Sequence, residues 1–228
     1  MLKLCFIAVM TLSLSFAVVS QSVTERKLDP FTKIVAGDKI IVQLLKSDKE
    51  SAVVKVQGID DSKVKTEVSG GTLTLSIYGE PFTKKKVMVT VNYKNIISIA
   101  VNNGSEVSTG NLLKTDTLTA DLKSGGVLYL DADIGCLIAK ITEGGLLSAE
   151  GYATSQDVTV SSLSTLSAFD LESDKIKIKA VTGGKAKINV EEELEAEASS
   201  NGYIAYKGNP PKLKQTANSG GSIVVYKP

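Results

Sequence analysis

The chain of 228 residues contains no histidine and no tryptophan. Without histidine it lacks the commonest general base, the usual zinc ligand and any Ser-His-Asp arrangement. Arg26 is the only arginine, and the only cysteines are Cys5 and Cys136. Aromatic residues are 5% of the whole, while Val, Ile, Thr and Leu dominate between the turns, a composition of strands rather than helices. No Gly-rich segment is followed by the Lys-Ser or Lys-Thr of a phosphate-binding loop.

Residues 1–20 carry Lys3, an apolar stretch from Leu4 to Val19 and the small residues Val18 and Ser20 before Gln21. They read as a secretory signal cleaved near Ser20, since the stretch includes Thr11, Ser13 and Ser15 and falls short of the ~20 residues needed to span a membrane. Cys5 lies too early to be a lipoprotein cysteine, so the expectation is an exported protein with no lipid anchor and no transmembrane span. Cleavage removes one of 26 basic residues and none of 25 acidic ones, leaving zero formal charge. A balanced surface gives no long-range attraction for nucleic acid. Cys136 is left without a partner, so no disulfide braces the mature chain, and the expected place for it is a small buried apolar site.

What is present is a Gly-centred segment that returns about every nineteen residues: Ser124-Gly125-Gly126, Glu143-Gly144-Gly145, Thr182-Gly183-Gly184, Asn201-Gly202 and Ser219-Gly220-Gly221. A fixed short period marks stacked coils that bury their apolar faces against one another. Aligned on these segments, alternate positions stay apolar: Leu118, Ala120, Leu122; Leu137, Ala139, Ile141; Ile176, Ile178, Ala180 before the bend, and Leu128, Leu130; Leu147, Ala149; Leu166, Ala168 after it. Two short strands per coil, joined by a Gly-permitted bend, give this pattern. Steps between coils run 21, 19, 19, 20, 18 and 19 residues, with the insertions expected in corner loops. Ser161-Ser162-Leu163-Ser164 lacks the Gly pair, which predicts a wider or less left-handed bend there.

Outward residues offer an independent check, because parallel coils set equivalent side chains ~4.8 Å apart. Lys175, Lys177 and Lys179 would stand beside Glu193, Glu195 and Glu197, and these beside Lys212 and Lys214. That alternation disfavours a one-residue slip. The Glu- and Ala-rich stretch Val190 to Ala198 is therefore expected as strand, against its helical propensity.

The expected architecture is an all-β, parallel β-solenoid (β-helix) of about 19-residue coils, with an irregular β N-terminal cap. Residues 1–20 form the signal, 21–96 the cap and irregular early coils, and 97–228 the regular repeats. Strand character in the early part covers Phe31 to Leu45, Ala52 to Val56, Val64 to Ile77 and Lys86 to Tyr93, and a separate small β-sandwich is its alternative.

Few groups suit chemistry. Asp131, Asp133 and Glu150 meet near the end of a strand, but Asp131-Ala132-Asp133 lacks the rest of a calcium loop, so solvated corner carboxylates are expected. Scarce arginine argues against the proton abstraction of β-helical pectate lyases. The expectation is no catalytic residue, no cofactor and no metal. Outward aromatics at Tyr129, Phe169, Tyr203 and Tyr226 form the candidate partner-binding face, although single exposed aromatics also serve simply to pack against neighbouring coils. Asn103-Gly104-Ser105 has the form of a glycosylation acceptor but falls on a bend.

Phe31-Thr-Lys-Ile34, Ile40-Ile-Val42, Val64-Lys-Thr-Glu-Val68, Gly71-Thr-Leu73-Thr-Leu75 and the closing Ser219-Gly-Gly-Ser-Ile223 resemble the head-GIN domain family of autotransporter adhesins, typical of exported Bacteroidetes proteins. The resemblance covers essentially the whole mature chain and implies that the parallel β-solenoid (β-helix) is right-handed and lies at the cell envelope, in the periplasm or at the cell surface. It carries no established catalytic or binding residues. The functional expectation is a non-enzymatic, adhesin-like module presenting its faces to a protein or glycan partner, with homo-oligomers through the solenoid ends among its assemblies. Its rivals are a periplasmic structural or assembly factor and, less favoured, a carbohydrate-active β-helix enzyme.

Overall fold

The computed structural model describes residues 21–79 and 86–227; the signal reading of 1–20, including Cys5, lies outside them. Seventeen strands join in one continuous sheet wound into a parallel β-solenoid, with a single 3-10 turn at Asp61–Lys63 and no α-helix among the described residues. In the regular part the strands are β10 (Leu113–Leu122), β11 (Val127–Ile141), β12 (Leu146–Val160), β13 (Thr165–Ala180), β14 (Lys185–Ala198), β15 (Tyr203–Lys207), β16 (Lys212–Ala217) and β17 (Ser222–Val225). Glu106, Val127, Leu146, Thr165, Lys185, Tyr203 and Ser222 occupy one column, so the coil steps are those read from the sequence.

The core follows from the period of two. Leu128, Leu147, Leu166, Ala186 and Ile204 stack inward in one column, and Leu118, Leu137, Gln156, Ile176 and Leu194 in another, all of them buried. The corner between the two faces is not a loop: β11 and β12 run unbroken for 15 residues each. Asp131-Ala132-Asp133-Ile134 continues the alternation, which buries Ala132 and Ile134 and adds a third inward-facing segment. At Gly135 an added Cβ would lie 2.6 Å from the Asp116 carbonyl oxygen, so the chain bends there against its neighbour.

The other corner is a tight turn with two consecutive left-handed residues, such as Glu143 (φ 54°) and Gly144 (φ 75°), closed by a bond from the Gly145 N–H to the Thr142 carbonyl at 3.0 Å. A glycine at the closing position of the bend answers a different need. A Cβ on Gly126, Gly184 or Gly202 would come within 2.0–2.2 Å of a carbonyl oxygen of the preceding coil. At Ser161-Ser162-Leu163-Ser164 the bend keeps the common geometry rather than widening, with Ser162 at φ 53° and Leu163 at φ 62°. Bonds from the Gly144 N–H to the Ser162 carbonyl and from the Leu163 N–H to the Thr182 carbonyl hold this turn between its neighbours and override the residue preference.

The early strands are β1 (Gln21–Lys27), β2 (Lys33–Ala36), β3 (Ile41–Lys46), β4 (Ser51–Gln57), β5 (Val64–Ser69), β6 (Thr72–Ile77), β7 (Lys86–Tyr93), β8 (Ser98–Val101) and β9 (Glu106–Thr109). Their order in space departs from their order in the chain. The β2/β3 coil lies between two others, pairing in parallel with β6 and β7 on one side and with β8 and β9 on the other. Beyond them, β4 runs antiparallel to β7, β1 antiparallel to β4, and β5 antiparallel to β6. The guanidinium of Arg26 donates to the carbonyls of Val64 (2.6 Å) and Asp61 (2.7 Å), tying β1 to the start of β5.

Candidate functional site

The outer surface has two characters. On one side β13, β14 and β16 bring Lys175, Lys177 and Lys179 beside Glu193, Glu195 and Glu197, and Glu193 and Glu195 beside Lys212 and Lys214, as the charge pattern predicts. Three rungs close as ion pairs: Lys179–Glu197 at 2.9 Å, Lys212–Glu193 at 3.6 Å and Lys214–Glu195 at 2.8 Å. The Lys214 ammonium, by its hydrogen bond and then its charge, holds the Glu195 carboxyl below its ordinary value and is itself raised. Cys136 lies in an outward column between Thr117 and Ser155 and is half-buried, not the core residue expected, because its neighbour Leu137 takes the inward position.

The other side carries the aromatics, and the structure brings two of the four together. Between β12 and β13 the register shifts after Ser148 and Ser167, so that two residues, Ala168 and Phe169, oppose one. Ala168 remains inward and Phe169 bulges out. Its ring centroid lies 4.7 Å from that of Tyr226, at an interplanar angle of 40°. The Tyr226 N–H bonds to the Tyr206 carbonyl at 2.7 Å, which places Tyr226 at the end of the β15–β17 ladder. Two ammonium groups flank the pair: Lys207 Nζ at 5.0 Å and Lys187 Nζ at 5.8 Å from the Phe169 centroid, within cation–π range. Lys207 also donates to the Phe169 carbonyl (3.1 Å) and faces Asp170 at 3.9 Å.

Tyr129 and Tyr203 stand apart from this cluster. Tyr129 shares its column with Ser108, Ser148, Ser167 and Lys187, whereas Tyr203 lies in the column of Val127 and Lys185. A shallow groove nevertheless runs from Tyr129 across Ser148 and Ser167 to Asp170, next to Phe169. Asp131, Glu150 and Asp170 line it on successive coils. Asp133 is turned to Lys114 at 2.7 Å, and no group of three His, Cys, Asp or Glu side chains suited to a metal ion occurs among the described residues. Ser105 of the Asn103-Gly104-Ser105 triplet is fully buried and accepts the Ile40 N–H at 3.2 Å.

Sequence reasoning missed Lys187 and Lys207. The signal was the 20-residue step from Thr165 to Lys185, one more than the step before it, because the added residue is the bulge that turns Phe169 outward.

A stack of parallel coils closed by recurrent left-handed turns, with polar and aromatic side chains on its outer strands, defines a parallel β-solenoid. The chain belongs to the family described as "Putative auto-transporter adhesin, head GIN domain", whose pattern matches residues 30–210. Among solved structures it is similar to a putative adhesin from Bacteroides fragilis (21% identity, TM-score 0.81, 91% of this chain and 97% of that one covered). It is also similar to a putative adhesin from Parabacteroides merdae (18%, 0.74, 91% and 96%) and to a putative lipid binding protein from Parabacteroides distasonis (16%, 0.72, 91% and 97%). At these identities the likeness is one of fold. No curated protein matches the chain. Among the described residues no helix is long and apolar enough to cross a membrane.

Proposed function

We propose that this protein is an exported, non-enzymatic, adhesin-like module of the cell envelope that engages a protein or glycan partner through the aromatic side of its solenoid. The observation that carries this is the Phe169–Tyr226 pair flanked by Lys187 and Lys207. Two aromatic faces and two ammonium groups, held on rigid ladders beside a polar groove, form a patch suited to stack on a sugar ring or a partner's aromatic while its cations meet acidic groups. Tyr129 and Tyr203 extend the same side. In this reading residues 21–96 cap the stack and 97–228 present the surface.

The test is a glycan and matrix-protein binding screen with the mature protein, followed by Phe169→Ala/Tyr226→Ala and, separately, Tyr129→Ala/Tyr203→Ala. The first pair should weaken a captured ligand at least tenfold with the fold intact by circular dichroism; unchanged binding by both double variants sinks the reading. External protease on intact cells should digest the protein while periplasmic controls stay protected. Protection until lysis would leave the periplasmic structural role as the better account.

A further inference from the structure

The two ends of the stack are finished differently. At the start, β1, β4 and β5 turn antiparallel across the early coils, bury Val54, Val56 and Val64, and have Arg26 on the carbonyls at the start of β5. At the far end, in the coil of β16 and β17, β16 pairs with β14 and β17 with β15, and neither has a second strand partner among the described residues. Leu194 is 1% exposed, but Leu213, the next residue in its inward column, is 50% exposed, and Val225 is 51% exposed. All six residues of β16 are exposed. An uncovered edge of this kind offers a row of free N–H and C=O groups to any extended chain.

Charge selects the occupant. The outward face of the ladder alternates by coil, lysine on β13, glutamate on β14, and lysine again on β16. Lys212 and Lys214 each have a glutamate on the inner side and, among the described residues, none on the outer. A second copy docking its own β16 antiparallel about Leu213 would set Lys212 of each copy against Lys214 of the other, which is unfavourable for residues directly opposite. A strand with acidic residues at every second position and apolar residues between them would instead continue both the charge alternation and the Leu194–Leu213 column. This terminal coil also lies beyond the residues 30–210 matched by the family pattern.

We propose that the open C-terminal end is a docking site for an extended acidic strand of a partner polypeptide, added beside β16 by edge pairing, with Lys212 and Lys214 choosing acidic over basic strands. This goes beyond the aromatic patch, which is not needed for it. The chain supplies its own probe: Glu193-Leu194-Glu195-Ala196-Glu197-Ala198 is the sequence that pairs with β16 from within.

The experiment uses the mature protein and a labelled, end-capped peptide of residues 191–199, with its all-Lys-for-Glu counterpart, at low and high salt. The glutamate peptide should bind at least tenfold more tightly than the lysine peptide, weaken as salt rises, and protect β16 amides from hydrogen exchange. K212E/K214E should invert the preference. If that variant loosens the last coil, K212Q/K214Q should abolish the preference without inverting it. Equal binding of both peptides, a preference unmoved by these substitutions, or no binding at millimolar peptide overturns the proposal. So does a wild-type dimer in sedimentation that dissociates on Leu213→Asp, which would make a second copy the occupant.

Discussion

Leu163 is 80% exposed and sits at φ 62°, a conformation that costs a bulky residue roughly 1–2 kcal/mol, at the position where Gly144 and Gly183 serve in the adjacent coils. Leu163→Gly should therefore stabilise the protein by about 1 kcal/mol despite the added freedom of the unfolded chain, measured as a shift in the denaturant midpoint. A glycine at the left-handed turn position and one at the closing position of a bend should separate in the same assay. Gly144→Ala meets open space and carries only the positive-φ strain, about 1 kcal/mol, whereas Gly202→Ala drives a Cβ to 2.0 Å from the Ala180 carbonyl oxygen and should cost about 3 kcal/mol or prevent folding. Equal effects would mean that bending alone explains both. Gln156 is the polar member of an apolar column: its Nε2 donates to Ser173 Oγ at 2.7 Å while its Oε1 has no partner. Gln156→Leu with Ser173→Ala should raise stability by about 1 kcal/mol, since replacing both partners removes the unpaired oxygen instead of creating a new one. These distinctions lie in backbone geometry. The sequence shows paired glycines at most bends but cannot show that the first relieves torsion and the second a close approach.

The strands explain why so much else was legible. Lys175 to Lys179, Glu193 to Glu197 and Lys212 to Lys214 identify their neighbours by sign, and the period of two identifies the buried side, so register and core follow from the sequence together. The same ladder predicts a pH dependence. Glu195 sits below its ordinary value, so its contribution is present at neutral pH and lost as acid protonates it; Lys214 sits above its ordinary value, so its contribution is lost as alkali strips its proton. The stability difference between wild type and Lys214→Met should peak near neutrality and shrink at both extremes. It should also shrink in 1 M salt, because both groups face water. A difference independent of pH would assign the loss to the lysine stem. The missed cluster around Phe169 has an element-scale cause: one inserted residue becomes a bulge, and whether it forms a loop or turns a side chain outward depends on the strands on either side.

For the whole molecule, the repeat declared the stack, but nothing in the early sequence told that β2 and β3 would lie between coils that come later in the chain. Their apolar alternation suits any place in the stack, and only long-range pairing decides among them. That placement has a mechanical consequence. Tension on the C-terminal end can unzip the last coils one at a time, each releasing a length such as the 19 residues that separate Val127 from Leu146, or ~65 Å of chain. Tension on the N-terminal end, once the antiparallel strands are peeled away, must shear β2 and β3 out from between partners on both sides. The solenoid is therefore a polar spring that yields gradually at one end and abruptly at the other, and single-molecule pulling on wild-type protein would read the difference as a regular sawtooth against one high rupture.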